Sequence, residues 1–382
     1  MRGLQEKLQC VTPTTIIVGI DVAKEVHYAR IKDYRGLDLS KPTKVQNSAD
    51  GFEPLLSKVE KLRIKHGCDQ VVIGMEPSGR YWRALGWYLK LHESEPVLVG
   101  VNPYHTKQAK ELNDNSQTKS DPKDAQVIAH LIRDGRYYET YLPEAEYAEL
   151  RQLNSERQRL IKQISRANNT LIALLDEFFP EYSIVWSNVT CPTSLELLET
   201  YSFPSDITAA AQEALLTDIR RASGGTEGIK LMEKLIWTAG QSVGVREGFR
   251  SARIRILSLI DELSYFQKEK EAIEVELEAA MDTLQLGKIL QSMLGIGSVI
   301  SAAFVGEGGD ICRFSTWKQV RSLAGLNLVE NRSGKHKSKT KVSKRGGHIY
   351  GTCCIWPENA AADVTPKCER FTDICEIARI TP

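Results

Sequence analysis

Two long stretches without glycine or proline lie in the middle of this chain of 382 residues. In both stretches, apolar residues recur at the spacing of one helix face. Within residues 144–179 they are Leu150, Leu153, Leu160, Ile164, Leu171 and Leu174. Within residues 252–284 they are Ile254, Leu257, Ile260, Leu263, Val275 and Leu277. The pattern predicts a long antiparallel coiled-coil arm, with shorter helices between residues 193 and 245. We expect the arm to act as a spacer or a dimer contact.

The N-terminal third alternates strand and helix patterns. Short apolar runs predict strands at 16–20, 71–75 and 97–101, and a turn after the strand-like residues 26–32 predicts a hairpin. Apolar residues at helical spacing predict helices at 48–65 and 81–91. Because strands alternate with helices, the sequence favours an α/β fold in which helices cover a mixed sheet.

Four acidic residues stand where these elements begin or end. Asp21 ends one predicted strand and Glu76 ends another, and α/β folds place their chemistry at the ends of neighbouring strands. Pro122 favours a helix start, which makes Asp121 the N-cap and puts Asp124 on the same side of the first turn. Taken alone, the last two acids are better explained by capping and helix-dipole roles. Together the four carboxylates suit Mg²⁺, and two ions about 4 Å apart support phosphoryl transfer.

Residues 287–382 are predicted to form a mainly α-helical C-terminal domain. Residues 294–297 read LGIG before an apolar helix, which resembles a helix-hairpin-helix turn. The backbone amides of such a turn can hold a DNA phosphate, although a turn between helices needs no ligand. Ser315 is expected to cap a further helix that runs to Leu323.

A basic segment follows at residues 332–347. The formal net charge of the chain is only +1, so a nucleic-acid contact requires cations that are gathered locally. This segment lacks acids and reads as a flexible surface loop that can follow a phosphate backbone, with a merely solvated loop as the alternative. Its serines, Ser333, Ser338 and Ser343, are all candidate nucleophiles, and the chemistry alone does not choose among them. The cations are Arg332, Lys335, Lys337, Lys339, Lys341, Lys344 and Arg345.

Cysteine usage and hydropathy indicate the compartment. None of the eight cysteines forms a CxxC pair, which is typical of proteins in a reducing environment. The N-terminus lacks an apolar signal region, and no apolar run approaches the ~20 residues that span a membrane. We therefore expect a cytoplasmic protein that does not enter the membrane.

Several segments taken together resemble the DEDD-type insertion-sequence transposases of the one-hundred-and-ten family. They occur in the order of that family at both ends of the chain, which is much more specific than any one of them. The predicted arm also fits the plan of the family. The segments are IIVGIDVAKE, VVIGMEPSGRYW, VNPYHTKQAKE, TKSDPKDAQVIA, LGIGSVISAAFVGE, STWKQVRSLAGLNLVENRSGK and SKRGGH.

The resemblance implies three domains. Residues 1–143 would form a RuvC-like, ribonuclease H-like catalytic domain, residues 144–286 the coiled-coil arm with a helical insertion, and residues 287–382 the C-terminal transposase domain. The four metal-binding acids of the family map onto Asp21, Glu76, Asp121 and Asp124. The nucleophilic serine of the family follows an AGL motif, here at residues 324–326, so Ser333 is the match.

The resemblance also implies chemistry and partners. Ser333 would attack a DNA phosphodiester to give a covalent serine–DNA link, with Mg²⁺ held by the carboxylates. The best-studied members are guided by a bridge RNA, a structured non-coding RNA that pairs with donor and target DNA. Their subunits assemble into dimers and tetramers, so that the serine and the acids of one active centre come from different subunits.

Three other readings stay open at this point. Residues 349–382 are cysteine-rich, poorly periodic and unlike the family, which indicates a frame-shifted or truncated ending and admits an inactive nucleic-acid-binding relic. An ATPase of the actin and sugar-kinase type shares the opening strand–Asp–hairpin pattern, but it needs a second Asp-Gly phosphate loop and a glycine pair for adenosine, and the sequence shows neither. A Holliday-junction-type nuclease would cut DNA without a serine intermediate.

Overall fold

A computed structural model describes residues 4–92, 96–114, 121–292, 296–314, 316–329, 332–333, 336–337 and 341–343. The chain divides into two compact units, one of Met1–Glu144 with Cys312–Val320 and one of Ala145–Ile311 with Arg321–Pro382. The three domain boundaries drawn from the sequence stay a prediction. In the part of the chain that the structure describes, no helix combines the length and the apolar character needed to cross a bilayer.

The first unit is built on a six-stranded mixed sheet in the order β3-β2-β1-β4-β5-β6. Strand β1 pairs antiparallel with β2 and parallel with β4, while β2–β3 and β5–β6 are antiparallel and β4–β5 is parallel. The predicted strands and the hairpin of β2 and β3 are confirmed. The strands are Thr15–Asp21, Val26–Lys32, Thr43–Gln46, Gln70–Met75, Val97–Gly100 and Tyr138–Glu139.

Helices cover both faces of this sheet. On one face, here called the α2 face, alternate strand residues such as Ile20 and Met75 pack with Phe52 and Leu55 of α2 and with Leu85 of α3. On the other face, the α5 face, Ile17, Val72 and Val99 pack with α5. The predicted helices at 48–65 and 81–91 are confirmed. The helices of this unit are α1 (Leu4–Gln9), α2 (Ala49–Lys65), α3 (Trp82–Lys90), α4 (Pro103–Asp114) and α5 (Asp121–Arg133).

The second unit contains two helices of 34 residues each, α6 (Ala145–Phe178) and α12 (Phe249–Asp282). They run antiparallel, because the rings of Phe178 and Phe249 lie 6.2 Å apart at one end while Arg157 and Glu274 form an ion pair of 2.7 Å further along. The long helices are confirmed, and coiled-coil geometry and an arm function stay predictions. Between them lie α7 (Tyr182–Val185), α8 (Pro192–Thr200), α9 (Pro204–Ala209), α10 (Gln212–Ala222) and α11 (Ile229–Gly240).

The predicted apolar stripe of α12 is wrong at two positions. Ile254 and Val275 are 64% and 65% exposed, whereas Ile256 and Leu277 are fully buried. Each exposed residue stands two positions before a buried one, and two residues turn an α-helix by about 200° to its opposite side. The buried face of α12 therefore runs through Ile256, Leu259, Ile260 and Leu263.

The C-terminal part has helices α13 (Gln285–Gln291), α14 (Ser298–Gly308) and α15 (Trp317–Leu323), which confirms a helix ending at Leu323. Leu294, Gly295 and Ser315 lie outside the described residues, so the helix-hairpin-helix turn and the serine cap stay predictions. The basic segment is not wholly loop. Strand β8 (Arg332–Ser333) pairs with β9 (His336–Lys337), and β10 (Lys341–Val342) pairs with β7 (Leu328–Val329). Lysine alternating with small residues has the period of two that a strand requires.

Candidate carboxylate site at the sheet edge

The positions of Asp21 and Glu76 follow directly from the register of two parallel strands. Ile20 of β1 lies beside Met75 of β4. Asp21 is the last residue of β1, and Glu76 is the first residue after β4, as the predicted strand at 71–75 implied. Neighbouring strands are about 4.8 Å apart, so the two acids stand side by side in sequence register at one edge of the sheet. Both are half-buried.

A pair of glycines brings α5 onto the same edge. Gly19 and Gly74 face each other in the β1–β4 register. A Cβ at Gly19 would lie 2.3 Å from the Ala125 carbonyl oxygen, and one at Gly74 would lie 2.3 Å from Cδ1 of Ile132. Any side chain at Gly19 would therefore push the α5 backbone away from β1. The close approach carries the first turn of α5 to the end of β1 that holds Asp21.

Asp124 is buried in that first turn and has a cationic partner. It is 6% exposed, and its Oδ2 lies 2.6 Å from the Nζ of Lys110 on α4. A buried carboxylate is strongly destabilising unless it is paired, so Lys110 supplies the charge that Asp124 requires. This role of Lys110 was not predicted from the sequence. The residue was noted there only as part of the VNPYHTKQAKE segment.

Asp121 begins α5, one residue earlier than the predicted helix start at Pro122. Its side chain lies outside the described residues, so the shared orientation of Asp121 and Asp124 stays a prediction. Among the side chains that the structure does describe, no three His, Cys, Asp or Glu residues come close enough to hold one metal ion. A complete metal site is therefore not formed by Asp21, Glu76 and Asp124 alone.

Tyr138 of β6 adds an electrostatic neighbour that the sequence did not reveal. Its ring packs on Gly100, where a Cβ would lie 2.7 Å from a ring carbon. Burial, and then the negative charge of Glu76, raise the pKa of the Tyr138 phenol above its ordinary value. The phenol therefore stays neutral beside the acids over a wider range of pH. Because β6 has two residues, its period-2 pattern was too short to detect.

The predicted nucleophile and cations lie in the second unit. The backbone of Ser333 pairs with that of His336 in the β8–β9 hairpin. Of the predicted cations, Lys341 is exposed. The structure describes the backbone but not the side chains of Arg332, Ser333 and Lys337. Outside the described residues lie Lys335, Lys339, Lys344 and Arg345.

Of the three serines that the chemistry left open, Ser343 is the one whose side chain the structure describes. Its hydroxyl donates to the Gly325 carbonyl at 2.9 Å, and its backbone N–H donates to the Asn327 carbonyl at 2.7 Å. Ser343 of the basic segment is thus hydrogen-bonded to the AGL motif at residues 324–326 and to Asn327, which follows it. Ser338 lies outside the described residues.

A mixed sheet of this order with helices on both faces fits a ribonuclease H-like domain of the DEDD type. The model of DEDD-type IS110 transposases matches residues 18–180, which include all four acids. A second model, described as the transposase IS116/IS110/IS902 family, matches residues 287–349, which include the basic segment and Ser333. The class is therefore that of DNA transposases, and the ATPase alternative is set aside.

The chain belongs to the IS110 family of transposases, and three curated relatives agree with this. An uncharacterized protein of insertion element IS110 from Streptomyces coelicolor is 26% identical over 221 residues, which cover 57% of this chain and 54% of that protein. An uncharacterized protein of IS116 from Streptomyces clavuligerus is 26% identical, covering 84% and 78%. A mini-circle protein for IS117 from Streptomyces coelicolor is 24% identical, covering 90% and 83%.

Proposed function

We propose that this transposase cuts and rejoins DNA by Mg²⁺-dependent phosphoryl transfer, with Asp21, Glu76, Asp121 and Asp124 as metal ligands and Ser333 as the nucleophile. The observation that carries the proposal is the placement of the acids. Asp21 and Glu76 stand at the ends of adjacent parallel strands, and Gly19, two residues before Asp21, lies against Ala125, the residue after Asp124. Adjacent strand ends are where α/β folds gather catalytic groups.

The chemistry of the donors fits Mg²⁺, because hard divalent cations take carboxylate oxygens and share the remaining positions with phosphate and water. The described side chains do not complete such a site, so it requires Asp121 as well. The ion pair of Lys110 with Asp124 shows that positive charge already stabilises this carboxylate. When bound, Mg²⁺ would polarise the phosphate and activate the attacking oxygen, and a pair of ions would serve both the attacking and the leaving oxygen.

The residues of the chain would perform the covalent step. The Oγ of Ser333 would form a bond to phosphorus while one DNA ester oxygen leaves and takes up a proton as a hydroxyl, and the proton of the serine passes to a base. One phosphodiester of the DNA is broken and one phosphodiester forms between Ser333 and the DNA. A DNA hydroxyl can therefore attack that link, release Ser333 and rejoin the strand without an external energy source.

The proposal extends to partners. We infer donor and target DNA as substrates, a structured guide RNA that pairs with both, and a homo-oligomer in which the serine and the acids of one centre come from different subunits. Family membership supports this inference. The acids and Ser333 belong to different compact units of the chain. The cations of the basic segment suit phosphate contacts on either nucleic acid.

The test is to trap the covalent link. The full chain, with the RNA that co-purifies with it, is mixed with end-labelled DNA spanning the ends of its own element in Mg²⁺ or in chelator. Labelled protein is then resolved under denaturing conditions. We expect an adduct with the wild type and with the matched control Ser338→Ala, and none with Ser333→Ala or Asp21→Ala.

Each other outcome has a defined meaning. Cleavage at the wild-type rate by Ser333→Ala would overturn the serine mechanism and favour the Holliday-junction-type nuclease. Equal cleavage by Asp21→Ala and the wild type would remove the carboxylate site. If the wild type binds DNA but does not cut it under any of these conditions, the chain is the inactive relic.

A further inference from the structure

A row of three different side chains crosses the sheet at the level of Asp21. In the antiparallel register, Asp21 of β1 lies opposite Tyr28 of β2, and Tyr28 lies opposite Lys44 of β3. Residues directly opposite each other in antiparallel strands point to the same face of the sheet. Lys44, Tyr28 and Asp21 therefore lie side by side on one face.

The alternation along the strands shows which face this is. Ala29 and Val45 flank this row and belong to the apolar core of the α2 face. Tyr28 and Lys44 consequently point to the α5 face, which also carries Gly19 and the first turn of α5. Tyr28 is half-buried and Lys44 is exposed, so both side chains are accessible from outside the apolar core.

The contacts of the row suit a polyanion with flat bases. The Nζ of Lys44 lies 5.8 Å from the centre of the Tyr28 ring, which keeps the ammonium group above the aromatic face. Arg30 lies two residues after Tyr28 on β2 and points to the same face. Unlike Lys44, it is engaged within the protein, because its guanidinium contacts Asp38 at 3.2 Å and Gln126 at 2.7 Å. Lys44 is the exposed cation of this row, and Tyr28 is the aromatic ring beside the acids.

We propose that Tyr28 and Lys44 form a binding surface for the DNA strand that enters the carboxylate site, Tyr28 by stacking on a base and Lys44 by contacting a backbone phosphate. This inference rests on the proposed function. Two strand spacings separate Lys44 from Asp21, about 10 Å. That span equals about three steps of a stacked strand at ~3.4 Å each, so the contact falls within a few nucleotides of the reacting phosphate. Stacking on an aromatic ring is tolerant of sequence, because every base has a flat π face.

The test measures binding without turnover. Fluorescence polarisation follows a labelled single-stranded oligonucleotide of about 12 nucleotides titrated with the full chain in chelator. We expect Tyr28→Ala to weaken binding by about 5- to 150-fold, the range for loss of one stacked base, and Tyr28→Phe to stay within about twofold of the wild type. Weak binding by Tyr28→Phe as well would overturn the stacking role, because the ring is intact in that variant.

Lys44 has a matched control in the same region. Lys58 of α2 donates to Thr43 Oγ1 at 2.8 Å, and Thr43 pairs with Ala29, so Lys58 sits on the α2 face. Lys44→Ala is expected to lower the slope of log affinity against log salt by about 0.7, the value for one phosphate contact on a single strand, whereas Lys58→Ala leaves the slope unchanged. Equal slopes for all three proteins, or the same loss in both variants, would overturn the Lys44 contact. A merely structural Lys44–Tyr28 pair changes thermal unfolding but not the salt slope.

Failure of this inference is distinguishable from failure of the proposed function. Asp21→Ala is expected to abolish cleavage while it retains oligonucleotide binding, because a carboxylate that repels phosphate has been removed. Normal cleavage by Asp21→Ala would remove the proposed function and leave the binding result as it stands. Wild-type binding by both Tyr28→Ala and Lys44→Ala would remove this surface and leave the carboxylate site untouched.

Discussion

The two faces of the N-terminal sheet are built from different kinds of residues. The α2 face carries large apolar side chains such as Ile20, Ile31 and Ile73, all fully buried. The α5 face, at the same level of the strands, carries Gly19 and Gly74, and then Tyr28 and Asp21 towards the edge. The first face stabilises the domain by burying apolar area. The second also buries apolar side chains such as Ile17, Val72 and Val99, but it brings a helix close enough to place polar groups at the strand ends, so the candidate chemistry lies on this side of the sheet.

The largest expected effect breaks the glycine contact. Gly19→Ala places a methyl group against backbone atoms of α5, the Ala125 carbonyl oxygen at 2.3 Å and the Ala129 nitrogen at 2.6 Å. We expect it to lower the free energy of unfolding in urea by about 3 kcal/mol, the upper end for overpacking. Gly74→Ala meets the end of the Ile132 side chain, which can rotate, so a loss of about 1 kcal/mol is expected.

The control for both variants is Gly240→Ala. Gly240 ends α11, and a Cβ there has no neighbour within 4 Å, so the change should be neutral or stabilise by up to about 1 kcal/mol. A Gly19→Ala protein as stable as this control would show that α5 does not require the close approach.

A smaller effect concerns the ion pair on the α5 face. Lys110→Met leaves the buried Asp124 carboxylate without its cation, and we expect a loss of about 1–2 kcal/mol, below the value for a fully buried pair because Lys110 is 36% exposed. The double variant Lys110→Met with Asp124→Asn should recover most of this loss in the same urea titration. Additive losses in the double variant would mean that the two side chains do not stabilise each other.

The smallest effect is confined to alkaline pH. The folded-state pKa of Tyr138 is raised by burial and by Glu76, so the stabilisation is fully present below the unfolded pKa of about 10 and is lost as pH rises through the folded value. Tyr138→Phe has no phenol to ionise. Urea titrations between pH 8 and 11 should therefore show wild-type stability falling faster than that of the variant above pH ~10. Parallel curves would contradict the shift, since the other tyrosines are common to both proteins.

The α2 face and the long helices were predictable because they depend on periodic burial. Phe52, Leu55 and Val59 repeat at helical spacing over one continuous core, and the predicted helix at 48–65 follows from them. The same reasoning failed at Ile254 and Val275, where apolar residues occupy the exposed side of α12. An apolar residue at the surface is common, so hydropathy alone does not assign the face when both sides of a helix carry such residues.

The candidate site was predictable only in part. Asp21 and Glu76 stood at recognisable strand ends, and the resemblance to a family joined them to Asp121 and Asp124. Lys110 and Tyr138 gave no such signal, because their roles depend on contacts with Asp124 and Glu76 that are distant in the chain. Ser343 was indistinguishable from Ser333 by composition, and its hydrogen bonds to Gly325 and Asn327 give it a structural role.

The sequence by itself determined the main strands and helices of the first unit, the two long helices and the family to which the chain belongs, because these depend on local periodicity and on motifs that are contiguous along the chain. Only the tertiary structure decided that Gly19 and Gly74 share one register, that Lys110 neutralises Asp124, and that Lys44, Tyr28 and Asp21 stand in one row. The physical reason is that strand pairing and ion pairing join residues that are far apart in the chain. Their partners are fixed by the register and by helix packing, which no local pattern encodes.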